Sequence, residues 1–194
     1  AELFGCLSED TAVVSMMWAN NETGVLFPVD EVAAELQARG IVFHTDAVQA
    51  VGKVPVDLTR TGVDLLSLSG HKLHGPKGIG ALYIRRGTKF KPLMVGGHQE
   101  QGRRAGTENV PGIIGLGKAC ELAAGYLDDI DTRVRALRDR LENALLEAVP
   151  HAMVNGDRTN RLPNTTSIAF EYVEGEAILL MMNEDGIAAS SGSA

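Results

Sequence analysis

The sequence predicts an α/β fold built on a mainly parallel sheet. Four short apolar runs have the length and composition of buried strands, namely residues 12–18, 41–46, 64–69 and 79–84. An amphipathic helical pattern separates the first two runs, and a strand, a helix and a strand in this order favour a parallel connection. We therefore expect a covered sheet whose strands are buried on both faces.

Glycine and turn residues mark the connections between these elements. Asp30 is in position to cap the first helix, the apolar face of which continues through Val32, Ala33 and Leu36, and Gly40 is in position to end it. The chain contains 22 glycines, and much of the excess over the usual share of about 7% lies in the middle of the sequence. The stretch from Gly75 to Gly80 predicts a sharp return into the fourth strand.

The second half of the chain becomes helical from Gly112 onward. The clearest helical stripe has apolar residues at spacings of three and four, at Ile130, Val134, Leu137, Leu141, Leu145 and Ala148. Arg138 and Glu142 are four residues apart, and we expect them to pair on the outer face of this helix. A strand over residues 166–171 and a helix over residues 176–182, ended by Gly186, follow. We expect a boundary between two domains, with residues 1–127 in the first and 128–194 in the second.

Charge and composition exclude several classes of protein. The formal net charge is −7, whereas nucleic-acid binders usually have a basic surplus. No apolar run approaches the roughly 20 residues of a membrane span, and no secretion signal is visible. The two cysteines, Cys6 and Cys120, cannot form a disulfide framework or a zinc site, so we expect a cytoplasmic protein that binds neither nucleic acid, membrane nor metal. Both ends look cut, which indicates a piece of a larger protein.

Polar side chains follow three of the predicted strands, where ligands bind in open α/β sheets. Asp46 ends the second strand, and a buried carboxylate needs a cation or hydrogen-bond donors. One interpretation is a helix N-cap, because a helix could start at Ala47. The other is a partner for a ligand cation.

Lys72 follows the third strand, beside a glycine-rich loop. A lysine at such a place can lose solvation, which lowers its pKa and favours Schiff-base chemistry, although most lysines are simply exposed. Ser69 and His71 flank it with donors that suit a phosphate. A Schiff-base lysine, a carboxylate for a ring nitrogen and phosphate donors together indicate a pyridoxal phosphate site.

Other chemistries fit the sequence less well. A nucleotide-binding loop needs Ser or Thr after Gly-Lys, but Gly52-Lys53 is followed by Val54. A metal site could be assembled from His44, Asp46, His71 and His74, but no established metal-binding spacing supports it. Ser69 is not part of the GxSxG turn of a hydrolase.

Four motifs in order resemble the cysteine desulfurases of the NifS/IscS-like branch, which are class V aminotransferase relatives. The motifs are Trp18–Gly24, His44–Gln49, Ser69–Gly78 and Arg104–Asn109. The resemblance covers essentially the whole chain. It implies the aspartate aminotransferase-like fold, which is pyridoxal phosphate fold type I. Residues 1–127 would then be part of the large cofactor domain, and residues 128–194 would start an α+β small domain.

The resemblance also implies a role for each candidate residue. Lys72 would carry pyridoxal 5'-phosphate and move protons at the substrate, and Asp46 would pair with the ring nitrogen. Gln49 would donate to the ring oxygen, and Asn21 would lie near that oxygen and the substrate carboxylate. Ser69 and His71 would hold the phosphate. Thr107 would reach the phosphate bound by the neighbouring subunit of a homodimer.

The function implied is desulfuration of L-cysteine to L-alanine, with sulfur passed as an enzyme persulfide to a scaffold protein for iron–sulfur clusters. The persulfide-forming cysteine of the family follows a segment like Ala189–Ala194, where this chain ends. We therefore expect residues 1–194 alone to be inactive. A related lyase or aminotransferase, such as selenocysteine lyase, and a non-catalytic piece that makes only dimer or partner contacts remain as alternatives.

Overall fold

A computed structural model describes residues 2–190 and contains a four-stranded sheet in the order β1-β2-β3-β4. The strands are β1 Val13–Met17, β2 Val42–Asp46, β3 Leu65–Ser69 and β4 Gly80–Ile84. The first three strands are parallel, and β4 runs antiparallel to β3. The mainly parallel α/β sheet is therefore confirmed, and so is the sharp return of the chain before the fourth strand.

The described part of the chain contains seven α-helices. They are α1 Glu2–Gly5, α2 Val29–Ala38, α3 Gln99–Gly102, α4 Val110–Gly125, α5 Leu127–Asp129, α6 Arg135–Ala148 and α7 Gly175–Glu184. A π-helical segment, Ile130–Val134, joins α5 to α6. Within residues 2–190, none of the helices is both long and apolar enough to cross a membrane.

Helix α2 forms the main core against one face of the sheet. Val32, Ala33 and Leu36 are buried there, together with Phe43 of β2 and Leu66 of β3. Gly40 ends this region with a positive φ of 69°, a conformation that glycine adopts readily, as the sequence predicts.

The expectation that Asp30 caps α2 is wrong. Pro28 occupies the N-cap position, and Asp30 lies inside the first turn. A carboxylate in the first turn still interacts favourably with the partial positive charge of the helix N-terminus.

The expectation that the strands are buried on both faces is also wrong. Side chains alternate between the two faces of a strand, and α2 covers one face only. On the other face Val13 is 54% exposed, Ser15 is exposed, and Leu82 of β4 is 45% exposed. This open face contains the polar side chains that end the strands.

Helix α6 reverses the predicted arrangement of its two faces. Arg138 and Glu142 are buried, whereas Leu137 and Leu141 are more than half exposed. The predicted ion pair on the outer face is therefore wrong. Arg138 Nη1 donates to the carbonyl oxygen of Leu162 over 2.9 Å, so the polar side of the helix faces the protein.

The last elements form a small antiparallel unit. Strand β5, Ala152–Val154, pairs with β6, Ile168–Phe170, and α7 follows. The predicted strand and the predicted helix are confirmed, and Gly186 ends α7 with a positive φ of 75°. Strand β5 is only three residues long and has no counterpart among the elements predicted from the sequence. The helical run breaks at Tyr126, within the region of the expected domain boundary, and the division into two domains stays a prediction.

Candidate functional site

The carboxyl ends of β1, β2 and β3 meet at one edge of the sheet because these strands are parallel. Asp46 is the last residue of β2, and it lies opposite Met17 of β1 and Ser67 of β3. Residues that are paired in register point to the same face, so Asp46, Ser67 and Ser69 all lie on the open face. The structure thus brings the predicted carboxylate and the predicted phosphate donor to one edge.

Asp46 shapes a turn and does not cap a helix. Its side chain is half-buried, and Oδ1 accepts a hydrogen bond of 2.9 Å from the backbone N–H of Val48. Residues 48–50 form a turn, so the helix that could have started at Ala47 is absent from this described stretch. An asparagine could accept the same hydrogen bond, and the turn therefore does not require the negative charge of Asp46.

The lysine turn, Gly70–Leu73, is a single 3₁₀ turn that directly follows β3. Lys72 and His71 are exposed on it, and Ser69 Oγ lies 2.8 Å from His71 Nδ1. The backbone N–H of Gly70 donates to the carbonyl oxygen of Ile79 over 2.9 Å, which closes the base of the loop. Ser69, His71 and Lys72 are thus presented together on one short, hydrogen-bonded connection.

A second lysine, Lys53, lies near Lys72 and is not among the site residues predicted from the sequence. Lys53 Nζ donates to the backbone oxygen of Gln49 over 3.0 Å, across the turn that follows Asp46. Burial and the nearby charge of Lys72 lower the pKa of Lys53. Lys53 appeared in the sequence only as part of a failed nucleotide-binding motif. Its proximity to Lys72 comes from the fold, and no local pattern signals it.

The turn after β1 contains Asn21. In this turn Asn20 Oδ1 accepts hydrogen bonds from the backbone N–H groups of Glu22 and Thr23, over 2.9 and 2.8 Å. Asn20 therefore organises the turn, while Asn21 is exposed. Gln49 is half-buried in the turn after β2.

Thr107 lies apart from these turns along the chain. It is exposed in the loop before α4, two residues ahead of the N-cap Asn109, the side chain of which accepts from the N–H of Gly112. The predicted contact of Thr107 with a neighbouring subunit stays a prediction.

A row of hydrogen-bonded side chains crosses the open face behind Asp46. Ser15 Oγ lies 2.7 Å from His44 Nδ1, and His44 Nε2 lies 3.2 Å from Ser67 Oγ. This row links β1, β2 and β3. His44 therefore connects strands in this structure. Among residues 2–190, no three His, Cys, Asp or Glu side chains form a group suited to a metal ion.

A cavity of about 630 Å³ lies between the lysine turn and the helices α4 and α5. Lys53, Lys72 and Leu73 line it on one side, and Ala119 and Leu122 of α4 line it on the other. Of the predicted site residues in the described chain, Lys72 alone reaches this cavity. We place the candidate site at the sheet edge, because the predicted carboxylate and the predicted phosphate donors lie there.

The whole chain, residues 1–194, matches the family model for class-V aminotransferases. The chain belongs to this family. It is 67% identical to a cysteine desulfurase of Gluconacetobacter diazotrophicus and 65% identical to the cysteine desulfurase NifS of Azotobacter vinelandii. Each alignment spans 188 residues, which is 97% of this chain and 47% of the relative. A solved structure titled as a NifS-like protein superposes with a TM-score of 0.92 at 39% identity, over 98% of this chain and 52% of that one.

These comparisons confirm the resemblance to NifS-like cysteine desulfurases and the pyridoxal phosphate fold type I. Class-V aminotransferases and cysteine desulfurases depend in general on pyridoxal phosphate. The chain spans about half the length of the curated relatives that it matches.

Proposed function

We propose that this chain is the lysine-bearing part of a pyridoxal phosphate-dependent cysteine desulfurase. The whole protein would convert L-cysteine to L-alanine and pass the sulfur, as a persulfide, to an acceptor protein for iron–sulfur cluster assembly. The observation that supports this most is the lysine turn, where Lys72 follows the Ser69–His71 pair at the same sheet edge as Asp46. The identity of 67% to a cysteine desulfurase supports the same reaction.

The residues at this edge fit pyridoxal phosphate in three respects. The cofactor needs an amine for its aldehyde, an anion for its ring nitrogen and donors for its phosphate, and Lys72, Asp46 and the Ser69–His71 pair supply these groups. The backbone also passes closely at the lysine turn. A Cβ atom on Gly70 would lie 2.8 Å from Ile79 Cγ2 and 3.2 Å from the backbone oxygen of Pro76, so this turn accepts only glycine without a shift.

Each residue has a separate task in the proposed reaction. When bound, the cofactor supplies an electron-withdrawing ring that stabilises negative charge at the substrate α-carbon. Asp46 would keep the proton on the ring nitrogen, and Ser69 and His71 would donate hydrogen bonds to the phosphate. Lys72 would hold the cofactor and later carry the proton to and from the α-carbon.

Two further residues would orient the ligands. Gln49 would donate to the ring oxygen, and its backbone oxygen is already fixed by Lys53. Asn21 would contact that ring oxygen and the substrate carboxylate from its exposed position after β1.

The assembly around the site is part of the same proposal. Thr107 would reach the phosphate in a second copy, which makes the active protein a homodimer, and its compartment would be the cytoplasm. Residues 1–127 would belong to the large domain and residues 128–194 to the small domain. The cysteine loop is predicted to follow the segment Ala189–Ala194, of which residues 191–194 lie outside the described residues.

Borohydride reduction followed by peptide mapping tests the assignment of Lys72. Reduction should fix the cofactor to the peptide that contains Lys72, and Lys72→Ala should abolish the label. Lys53 is the matched alternative, because it lies close by and burial and the charge of Lys72 lower its pKa. A label on Lys53 would contradict the assignment.

A further inference from the structure

The loop that contains Asn21 is held by hydrogen bonds to residues that come at least 134 positions later in the chain. We call residues 20–26 the Asn21 loop and residues 156–166 the brace. The backbone N–H of Leu26 donates to the carbonyl oxygen of Asn160 over 3.0 Å, and Asn160 Nδ2 donates back to the oxygen of Leu26, also over 3.0 Å. The N–H of Leu162 donates to the oxygen of Gly24 over 2.8 Å.

Packing allows little freedom between the loop and the brace. A Cβ atom on Gly24 would lie 2.7 Å from Thr165 Cβ, and one on Gly156 would lie 2.6 Å from Val25 Cγ2. The two segments therefore approach each other as closely as their backbones permit. The position of the Asn21 loop depends on the position of the brace.

The brace is fixed in turn to α6 by a buried ion network around Glu142. Arg161 Nη2 and Thr166 Oγ1 each lie 2.5 Å from Glu142 Oε2, and Arg158 Nε lies 3.1 Å from Oε1. The side chains of Glu142 and Arg161 are 3% and 1% exposed. Arg138 adds a hydrogen bond of 2.9 Å to the oxygen of Leu162.

Charge complementarity makes this network a single unit. Burial alone would raise the pKa of Glu142. The hydrogen bonds from Thr166 and Arg161 and the charge of Arg161 outweigh burial, so the pKa of Glu142 is lowered and its carboxyl group is held ionised. A buried carboxylate and a buried guanidinium stabilise each other only while both remain, because removing one leaves the other uncompensated. The brace therefore has one preferred position on α6.

We infer that Glu142, Arg161 and Asn160 are positioning residues that hold the Asn21 loop for substrate binding. The inference rests on the proposed function in one respect, the role of Asn21 at the substrate carboxylate. The network touches neither Lys72 nor Asp46 in the contacts of the described residues. Its disruption should therefore weaken substrate binding more than it slows the chemical step.

The test is a double-mutant cycle in the cofactor-loaded protein. Glu142→Gln and Asn160→Ala are each made alone and together with Asn21→Ala, and KM and kcat for L-cysteine are measured. Each single variant should raise KM by about tenfold with kcat little changed, within the roughly hundredfold loss that a misplacement of about 1 Å can cause. On the Asn21→Ala background neither variant should raise KM further, because the loop then has no contact left to position.

A matched control and a second variant keep this test decisive. Glu35→Gln removes an exposed ion pair with Arg39 on α2, away from the brace, and should leave KM unchanged. If Glu142→Gln does not fold, Asn160→Ala decides, because it removes one exposed hydrogen bond and leaves the buried network intact. A KM increase that persists in full on the Asn21→Ala background would overturn the inference.

Hydrogen exchange separates this inference from the proposed function. Amide exchange in residues 20–26 should become roughly fivefold faster in Asn160→Ala, as expected for the loss of one hydrogen bond. Unchanged exchange would overturn the brace whether or not the protein turns over cysteine. A wild-type protein that binds no cofactor and releases no sulfide would overturn the proposed function, while the exchange result would still decide the brace.

Discussion

Gly80→Ala should destabilise the protein, because the β3–β4 pair leaves no room for a side chain at this position. A Cβ atom on Gly80 would lie 2.6 Å from the carbonyl oxygen of Leu68, which is 0.8 Å less than the ordinary contact of 3.4 Å. That oxygen belongs to the backbone of β3 and cannot rotate away. The strands must therefore shift apart, and overpacking of this kind typically costs about 1–3 kcal/mol.

The expected loss corresponds to a melting temperature about 2–12 °C lower, at about 2–4 °C per kcal/mol for a protein of this size. Thermal unfolding followed by circular dichroism measures it. Gly117→Ala is the matched control, because no atom lies within 4 Å of its Cβ position in α4. There the change should stabilise the protein by about 0.5–1 kcal/mol. Equal melting temperatures for the two variants would refute the steric argument.

Two further predictions concern charged groups. Asp46→Asn keeps the acceptor for the backbone N–H of Val48, so the turn should remain intact. Turnover should fall by about a hundredfold, with the cofactor still partly bound. Near-normal steady-state turnover would show that Asp46 only shapes the turn. Glu142 has a lowered pKa in the folded protein, so it stabilises the fold above the ordinary glutamate pKa, and this contribution disappears as the pH falls through the lowered value. The free energy of unfolding of the wild type, measured with urea, should therefore fall as the pH is lowered across this acidic range. Glu142→Gln should not show this part of the pH dependence. Identical pH profiles for the two proteins would contradict the prediction.

Local patterns were enough to predict most of the elements. The apolar runs correspond to β1, β2, β3 and β4, and the helical periodicities correspond to α2, α6 and α7, because strand and helix periods are visible over a few residues. The glycine-rich stretch from Gly75 to Gly80 correctly predicted the sharp return into β4. The placement of Asp46, Ser69, His71 and Lys72 at one edge could be predicted because parallel strands bring their carboxyl ends together, while their roles in the site stay predictions.

The features that the sequence did not predict depend on distant partners. Helix α6 turns Glu142 inward because Arg158 and Arg161 arrive from a later segment to pair with it, and hydropathy alone assigns a charged residue to the outside. Lys53 lies near Lys72 for a similar reason, since the turn after β2 and the turn after β3 become neighbours only in the folded sheet.

Strands β3 and β4 are joined directly by residues 70–79, so the lysine turn lies in a local connection. Closing a loop of about ten residues takes about 10–100 ns, whereas the parallel pairs β1–β2 and β2–β3 require longer crossovers and pay more chain entropy before any contact forms. We therefore expect the hairpin that holds Ser69, His71 and Lys72 to form early in folding. We expect Asp46 to join them only when the slower parallel pairing is complete, so the residues proposed to bind the phosphate would be in place before the carboxylate proposed for the ring nitrogen.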